Sequence, residues 1–447
     1  MAAQVRPVFR LPAFAPLAAV LAAALVLAGC DRGDQPLPGE RIPVRPDETA
    51  ASASRAVPIA LPPAVVNADW THRNGAAGGR PAHPALAPVP QLRWSADIGT
   101  GEGRRSRILA GPVVAGGLVF AMDAAGQLSA VGRDGGLVWS RSLVPAGQAP
   151  ESGPGGGMAV SGGVLFVTTG FGEVFALSPS TGGTIWQQTF EAPIRAAPSV
   201  LGDLLVMVLR SDAAYGLDAR TGQLRWRVQG TGGTGLLGGA SPAIDGPLVV
   251  VPFASGEVLG VLGRNGLTVW GTAVSGGRRE LARNRINDIS GDPVVDGGSV
   301  YASNQSGRTI RVDRDTGERA WTMPEGSYGP AWPVGGSVFL MSDTGELVRA
   351  SAATGELIWS TQLPEYNYRN RLFRSPIQTT AITHWGPVLA GGRLWVASGD
   401  GALRAFSPVD GALLAEIELP GGAAAAPAVA GGVLYVVSRD GRLLAFQ

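Results

Sequence analysis

The side chains able to do covalent or metal chemistry are few in this chain. There are three histidines, His72, His83 and His384, and one cysteine, Cys30, among 447 residues. A Ser-His-acid arrangement or a zinc site draws on histidines and cysteines that this chain scarcely has. A single cysteine excludes both a disulfide framework and a cysteine metal cluster. The run Gly230-Thr231-Gly232-Gly233-Thr234-Gly235 satisfies G-x-G-x-x-G. That fingerprint binds a dinucleotide only between a parallel strand and a helix, whose N-terminus meets the pyrophosphate. Gly238, Gly239 and Pro242 follow instead, so a loop is expected. Carboxylates such as Asp313, Asp315, Asp400, Asp410 and Asp440 sit in turn sequences, where bonds to nearby backbone N–H groups explain them. With 36 basic against 35 acidic residues there is no basic excess, so nucleic acid is not an expected partner.

Arginine is unevenly spread. Arg104, Arg105 and Arg107 form one cluster, Arg278, Arg279, Arg283 and Arg285 a second, and Arg369, Arg371 and Arg374 a third. The third is interleaved with Tyr366, Tyr368 and Phe373. Acidic residues in the same stretches are Glu102, Glu280, Asp288 and Glu365. Arg and Tyr are the types enriched at binding hot spots. A basic, aromatic-bearing docking face is therefore expected, provided the fold brings these stretches together.

What must position them is a repeat. From about Gly111 to the end, one pattern recurs: a small-residue-plus-Pro start, a short apolar strand, a Gly-rich turn, and a second strand. A Ser/Asp-x-Gly turn, a third strand, a Thr-Gly or Asp-Gly turn and a Trp-bearing fourth strand complete it. The register is carried by Trp139, Trp186, Trp226, Trp270, Trp321 and Trp359; the seventh unit has Leu414 where Trp is expected. A four-stranded sheet cannot bury both of its faces alone, whereas sheets stacked radially around an axis can. Flat indole rings suit the dry seam between them. The eighth unit stops after three strands at Gln447, and Gln91–Ile98, containing Trp94, matches the missing fourth. The fold class is thus all-β: an eight-bladed β-propeller whose N-terminal strand completes the last blade and removes an exposed edge. Strand alternation puts every fourth-to-first connection on the face of the second-to-third turns, so the three arginine clusters share that face. His72 and His83, with Trp70 and Gly75, precede the closing strand and are expected to pack beneath the ring.

The N-terminus reads as a targeting segment. Arg6 and Arg10 precede an apolar run, Leu11 to Ala28, that ends in Leu27-Ala28-Gly29-Cys30. This resembles a bacterial lipobox, which implies lipidation of Cys30 and a membrane anchor. Residues 31–64 hold Pro36, Pro38, Pro43, Pro46, Pro58, Pro62 and Pro63 without hydrophobic periodicity. A coil of that length reaches about 30 Å. The expected division is 1–29 signal peptide, 30–64 lipidated Cys30 and Pro-rich tether, and 65–447 propeller.

Leu217-Asp218-Ala219-Arg220-Thr221-Gly222-Gln223-Leu224-Arg225-Trp226 and Ala353-Thr354-Gly355-Glu356-Leu357-Ile358-Trp359 resemble the PQQ-like repeat, A-x-D-x-x-T-G-x-x-x-W. Two families share it: pyrroloquinoline-quinone dehydrogenases and the BamB lipoproteins of the machine that assembles outer-membrane β-barrels. A lipobox, a tether and bare blades look like the second. Asn284–Pro293 is similar to that family's R-L-S-D-V-D-T-T-P segment, which contacts the barrel-forming subunit BamA. The resemblance implies partner-binding roles for Arg283, Arg285, Ile286 and Asp288, with Ile289 fitting the pattern and Ser290 replacing an acidic residue. A second contact stretch, Leu-x-Leu-Arg in the family, corresponds to Leu236, with Leu237 replacing Arg. The implied protein is a non-enzymatic scaffold on the periplasmic side of the outer membrane, without cofactor, bound to a BamA-like barrel subunit and to the membrane by its lipid. Asp31 resembles an inner-membrane retention signal, with Arg32 beside it. The rivals are a quinoprotein dehydrogenase, whose vicinal disulfide one cysteine cannot form, and a periplasmic interaction propeller with another client.

Overall fold

The computed structural model describes residues 55–79, 83–153, 155–232, 239–278 and 286–447 except 372–373, and the side chains of 368–379 are not among what it describes. Cys30, Leu236, Leu237, Arg283 and Arg285 lie outside the described residues. Among the described residues no helix is long and apolar enough to cross a membrane.

Eight four-stranded antiparallel sheets, one two-stranded ribbon and a short 3-10 turn, Pro150–Ser152, make up the described secondary structure. We number the sheets as blades: blade 1 spans 113–142, blade 2 156–189, blade 3 199–229 and blade 4 243–273. Blade 5 spans 289–323, blade 6 332–362, blade 7 384–418, and blade 8 combines 428–446 with 92–97. In blade 1 the first strand, Val113–Ala115, is buried throughout, whereas the fourth, Leu137–Ser142, is mostly exposed. The blades therefore have their first strands innermost. Closure occurs as the repeat count requires: Leu92–Asp97 pairs antiparallel with Arg442–Phe446, Trp94 opposite Ala445.

Each fourth-strand Trp reaches across to the following blade. In all of them but Trp359, whose indole nitrogen has no hydrogen-bond partner, the N–H donates to a backbone carbonyl in that blade's third-to-fourth turn: Trp94 to Arg133, Trp139 to Pro179, Trp186 to Ala219 and Trp226 to Gly263 (2.7–3.0 Å). Trp270 to Arg314 and Trp321 to Ala352 continue the series (2.8 and 3.0 Å). Its ring covers the turn glycine, so that a Cβ on Gly182 would lie 2.8 Å from Trp139. This explains the missing seventh Trp. Blade 8 takes its third strand, Arg442–Phe446, and its fourth, Leu92–Asp97, from distant parts of the sequence, so no third-to-fourth turn joins them for a blade 7 indole to cover. The position also shifts by one: Ala415, opposite Ala405, and not Leu414, occupies the Trp register. The β-bulge between Ala405 and Phe406 matches the one beside Trp226 in blade 3, and Ala415 follows its turn glycine Gly411 by four residues as Trp226 follows Gly222.

The amino-terminal segment does more than pack beneath the ring. Residues 59–86 touch all eight blades at the ends of their first strands or at the first-to-second turns. Asn67 meets blade 8 at Val429 and Gly431, and Trp70 exchanges two backbone bonds of 2.8 Å with Val114 of blade 1. Thr71 accepts from Val160 of blade 2, Ala77 from Ile244 of blade 4 and Gly78 from Val295 of blade 5. Val200 of blade 3 donates to His72 Nε2 at 3.1 Å. On blade 7, Gly391 donates to Pro84 and Gly392 to His83 Nε2. A Cβ on Gly335 of blade 6 would meet Ala60 and Ile59. Residues 55–64, expected in the tether, therefore begin the propeller's own strap, because Ile59 and Leu61 find apolar partners on the core.

Candidate functional site

With one face strapped, the other face holds the fourth-to-first connections and the second-to-third turns, and with them Arg104, Arg105, Arg107, Arg278 and the ribbon that carries Arg369, Arg371 and Arg374. Arg104 and Arg105 are exposed, and Arg107 is half exposed beside Glu102 at 3.3 Å. Arg278 is not displayed. Its guanidinium is held by Glu325 (2.5 Å) and Asp343 (3.2 Å) and is 23% exposed. Burial pushes the Glu325 carboxyl up to about 7 despite the opposing Arg278. The face is less basic than the connections alone imply, because the second-to-third turns add carboxylates. Those carboxylates are engaged in holding loops. Asp123 accepts from Thr100 N (2.7 Å), Asp212 from Gly232 N (3.1 Å) and Ala254 N (2.7 Å), and Asp343 from Gly326 N (3.0 Å). The signal was present as Asp at the turn start, but its acceptor role needed the neighbouring connection.

The stretch carrying the third cluster is a ribbon, Tyr366–Arg371 paired with Arg374–Ala381, and not an irregular loop. Its alternation, Tyr-Asn-Tyr-Arg-Asn-Arg, is the strand pattern. At its base His384 holds the connection, with Nδ1 2.8 Å from Ser398 Oγ and Nε2 2.9 Å from the Pro364 carbonyl. Ser398 is fully buried, so this pair anchors rather than attacks.

The predicted contact residues that are described divide sharply. Ile286 is half-buried, and its carbonyl accepts from Ser306 Oγ at 2.5 Å. Asp288 is buried and pairs with Arg195 from the connection between blades 2 and 3; both side chains are 1% exposed. Ser290 is buried and donates to the Ser327 carbonyl at 2.7 Å. Asp288 and Ser290 thus hold the base of the loop that carries Arg283, Arg285 and Ile286, and do not themselves face solvent. Arg195, which sequence reading passed over, is the missing partner. Gly239 leaves the room its guanidinium takes, since a Cβ there would overlap it.

Deeper along the ring's inner side, Asp292 accepts from Arg73 (3.3 Å), Asn74 (2.6 Å) and Ser241 N (2.7 Å). Quinone dehydrogenases need carboxylates free to ligate Ca²⁺. Here Asp288 and Asp292 are committed to arginines and backbone, and no group of three His, Cys, Asp or Glu among the described residues could hold a metal. Among the described residues, these carboxylates do not fit that cofactor. The three described glycine-run residues Gly230–Gly232 leave an antiparallel outer strand, Leu224–Gln229, and Thr231 bonds Glu257, so no helix begins there.

Comparison with known proteins converges on the same family. A family model described as outer membrane protein assembly factor BamB matches residues 124–361 and 366–447. The BamB of Yersinia pestis is 26% identical over 256 residues, covering 54% of this chain and 65% of that protein. The BamB of Escherichia coli K12 is 26% identical over 244 residues, covering 54% and 62%. These alignments span a little under two thirds of the relatives' own length. The crystal structure of BamB from Moraxella catarrhalis superposes with TM-score 0.65 at 20% identity, over 80% of this chain and all of the other. A europium-containing methanol dehydrogenase superposes with TM-score 0.63 at 14% identity, over 83% and 90%, which reflects the shared propeller. The matched repeats begin before the third strand of blade 1, run through blades 2 to 7 and end on the third strand of the eighth, and on that basis the chain belongs to the family of the outer membrane protein assembly factor BamB.

Proposed function

We propose that the protein is a non-enzymatic scaffold of outer-membrane β-barrel assembly, docking its open face on periplasmic modules of a BamA-like barrel subunit. Cys30 would carry the lipid, holding the propeller on the periplasmic side of the outer membrane. Residues 31–54 would give a coil reach of about 27 Å. The observation that favours this reading is the asymmetry of the two faces. One is strapped across all eight blades, while the other exposes Arg104 and Arg105 and holds the two described ends, Arg278 and Ile286, of the stretch between blades 4 and 5.

The decisive residues are Arg283 and Arg285, which precede Ile286 in the sequence. Asp288 is a poor test, because breaking a buried ion pair costs about 3–5 kcal/mol and would damage the loop itself. The double variant Arg283→Glu/Arg285→Glu should therefore lose co-purification with the barrel subunit at unchanged thermal stability. Full recovery of the partner with that variant would count against the site. Fractionation of the native lipoprotein tests the membrane assignment, where Asp31 favours the inner membrane as the alternative.

A further inference from the structure

The seam between blades 6 and 7, on the strapped face, holds residues 55–61 as an extended peptide. Arg55 N–H donates to the Ile358 carbonyl (3.4 Å) and Val57 N–H to the Val409 carbonyl (3.3 Å). Arg349, itself buried, donates to the carbonyls of Val57 (2.6 Å) and Pro58 (3.4 Å). Ile59 and Leu61 pack on the apolar core. The chain thereby shows what an inter-blade seam of this ring can bind.

The internal repeat allows the same seam to be inspected elsewhere. Ile358 immediately precedes Trp359, and Arg225 immediately precedes Trp226. Val409 lies two residues before the turn glycine Gly411, and Arg264 two before Gly266. The first-to-second turn 334–337 of blade 6 corresponds to 201–204 of blade 3. These corresponding positions line an open cleft of about 580 Å³ between blades 3 and 4. Its apolar wall is Leu201, Leu204, Ile244, Pro247 and Leu262, and Leu201 is 43% exposed. Two differences from the filled seam matter. The strap-holding Arg349, opposite Trp359, is replaced by Gly216 opposite Trp226, which removes a cation from the wall. Arg225 at the rim is neutralised by Asp203 and Asp218, each at 2.6 Å. What remains is apolar, sized for several side chains, and flanked by the backbone positions that hold an extended chain at the other seam. Extended-peptide recognition works in this way, with main-chain bonds supplying affinity and pockets for side chains supplying selectivity.

We propose that the cleft between blades 3 and 4 binds an extended apolar segment of a partner protein, as the seam between blades 6 and 7 binds residues 55–61. The site is on the face opposite the proposed barrel-subunit contact, so it stands or falls separately from that contact.

The probe is a fluorescent peptide with the sequence of residues 55–62, Arg-Ala-Val-Pro-Ile-Ala-Leu-Pro, titrated by anisotropy against the full chain in detergent. Saturable binding is expected, weakened at least tenfold by Leu201→Glu and unaffected by Leu137→Glu, an exposed apolar residue of blade 1. A peptide with Val, Ile and Leu replaced by Ser should not bind. A photoreactive group at the Ile position should label residues of blades 3 and 4 in the unsubstituted protein, which needs no variant to fold. Absence of saturable binding overturns the proposal. So does equal binding by Leu201→Glu, or labelling confined to blades 6 and 7, which would mean exchange with the chain's own strap.

Discussion

Acid should act on this ring through two buried groups of opposite sign. Burial beneath blade 3 pushes the His72 imidazole down to about 4, against a smaller upward pull from the Val200 backbone. The unfolded chain binds its proton at the ordinary value of 6.5, so between pH 6.5 and about 4 the unfolded state holds more protons. Stability is then lost as pH falls through that window. At about 1.4 kcal/mol per pH unit, the full interval is worth about 3 kcal/mol. Glu325 behaves oppositely. Its folded value near 7 lies above the ordinary 4.5, so the folded state holds more protons between those limits and gains stability as pH falls. With its side chain 17% exposed, solvent screening reduces this contribution to about 2 kcal/mol. From pH 6.5 to 4.5 the two largely offset each other in the native sequence. His72→Gln keeps an acceptor for Val200 N–H and cannot titrate. Urea midpoints, followed by both tryptophan fluorescence and far-ultraviolet circular dichroism at half-unit steps from pH 4.5 to 7.5, give the comparison. The variant should gain on the native protein by about 2–3 kcal/mol as pH falls to 4.5, and Glu325→Gln should lose on it by about 2 kcal/mol. Parallel pH profiles for native protein and His72→Gln would refute the assignment of His72 as a neutral, buried contact of the strap.

Two further outcomes follow from the seams. Gly182→Ala should destabilise by about 2–4 kcal/mol, combining a left-handed backbone (φ 69°) with a Cβ 2.8 Å from Trp139. Gly202→Ala, at φ 60° with open space around it, should cost only about 1–2 kcal/mol, and equal losses in thermal melts would discount the indole contact. Arg349→Met should release residues 55–61 from their seam, seen as at least tenfold faster tryptic cleavage after Arg55 with blades intact, because the carbonyls of Val57 and Pro58 lose their donor.

The loop between blades 4 and 5 shows where sequence reading stopped. Arg285, Ile286 and Asp288 were legible together as a motif, but a motif does not distinguish a displayed carboxylate from a buried one. That distinction depends on Arg195, 93 residues away, which arrives from another connection only once the ring has closed. The arginine clusters were likewise assigned to one face from strand alternation alone, yet the turn carboxylates and Glu325 that moderate their charge become neighbours only through folding.

The blade repeat, the Trp spacing and the completion of blade 8 by the strand around Trp94 were determined by sequence, because each follows from local periodicity and turn chemistry repeated many times. Why blade 7 lacks its Trp was decided by tertiary structure: the indole needs a turn glycine on the next blade, and in blade 8 the third and fourth strands are not consecutive, so no such turn joins them. The strap was hidden for a similar reason. Residues 55–86 have no periodicity of their own, and their bonds go one by one to eight blades spread over the chain, a pattern that exists only after those blades have been brought into a circle.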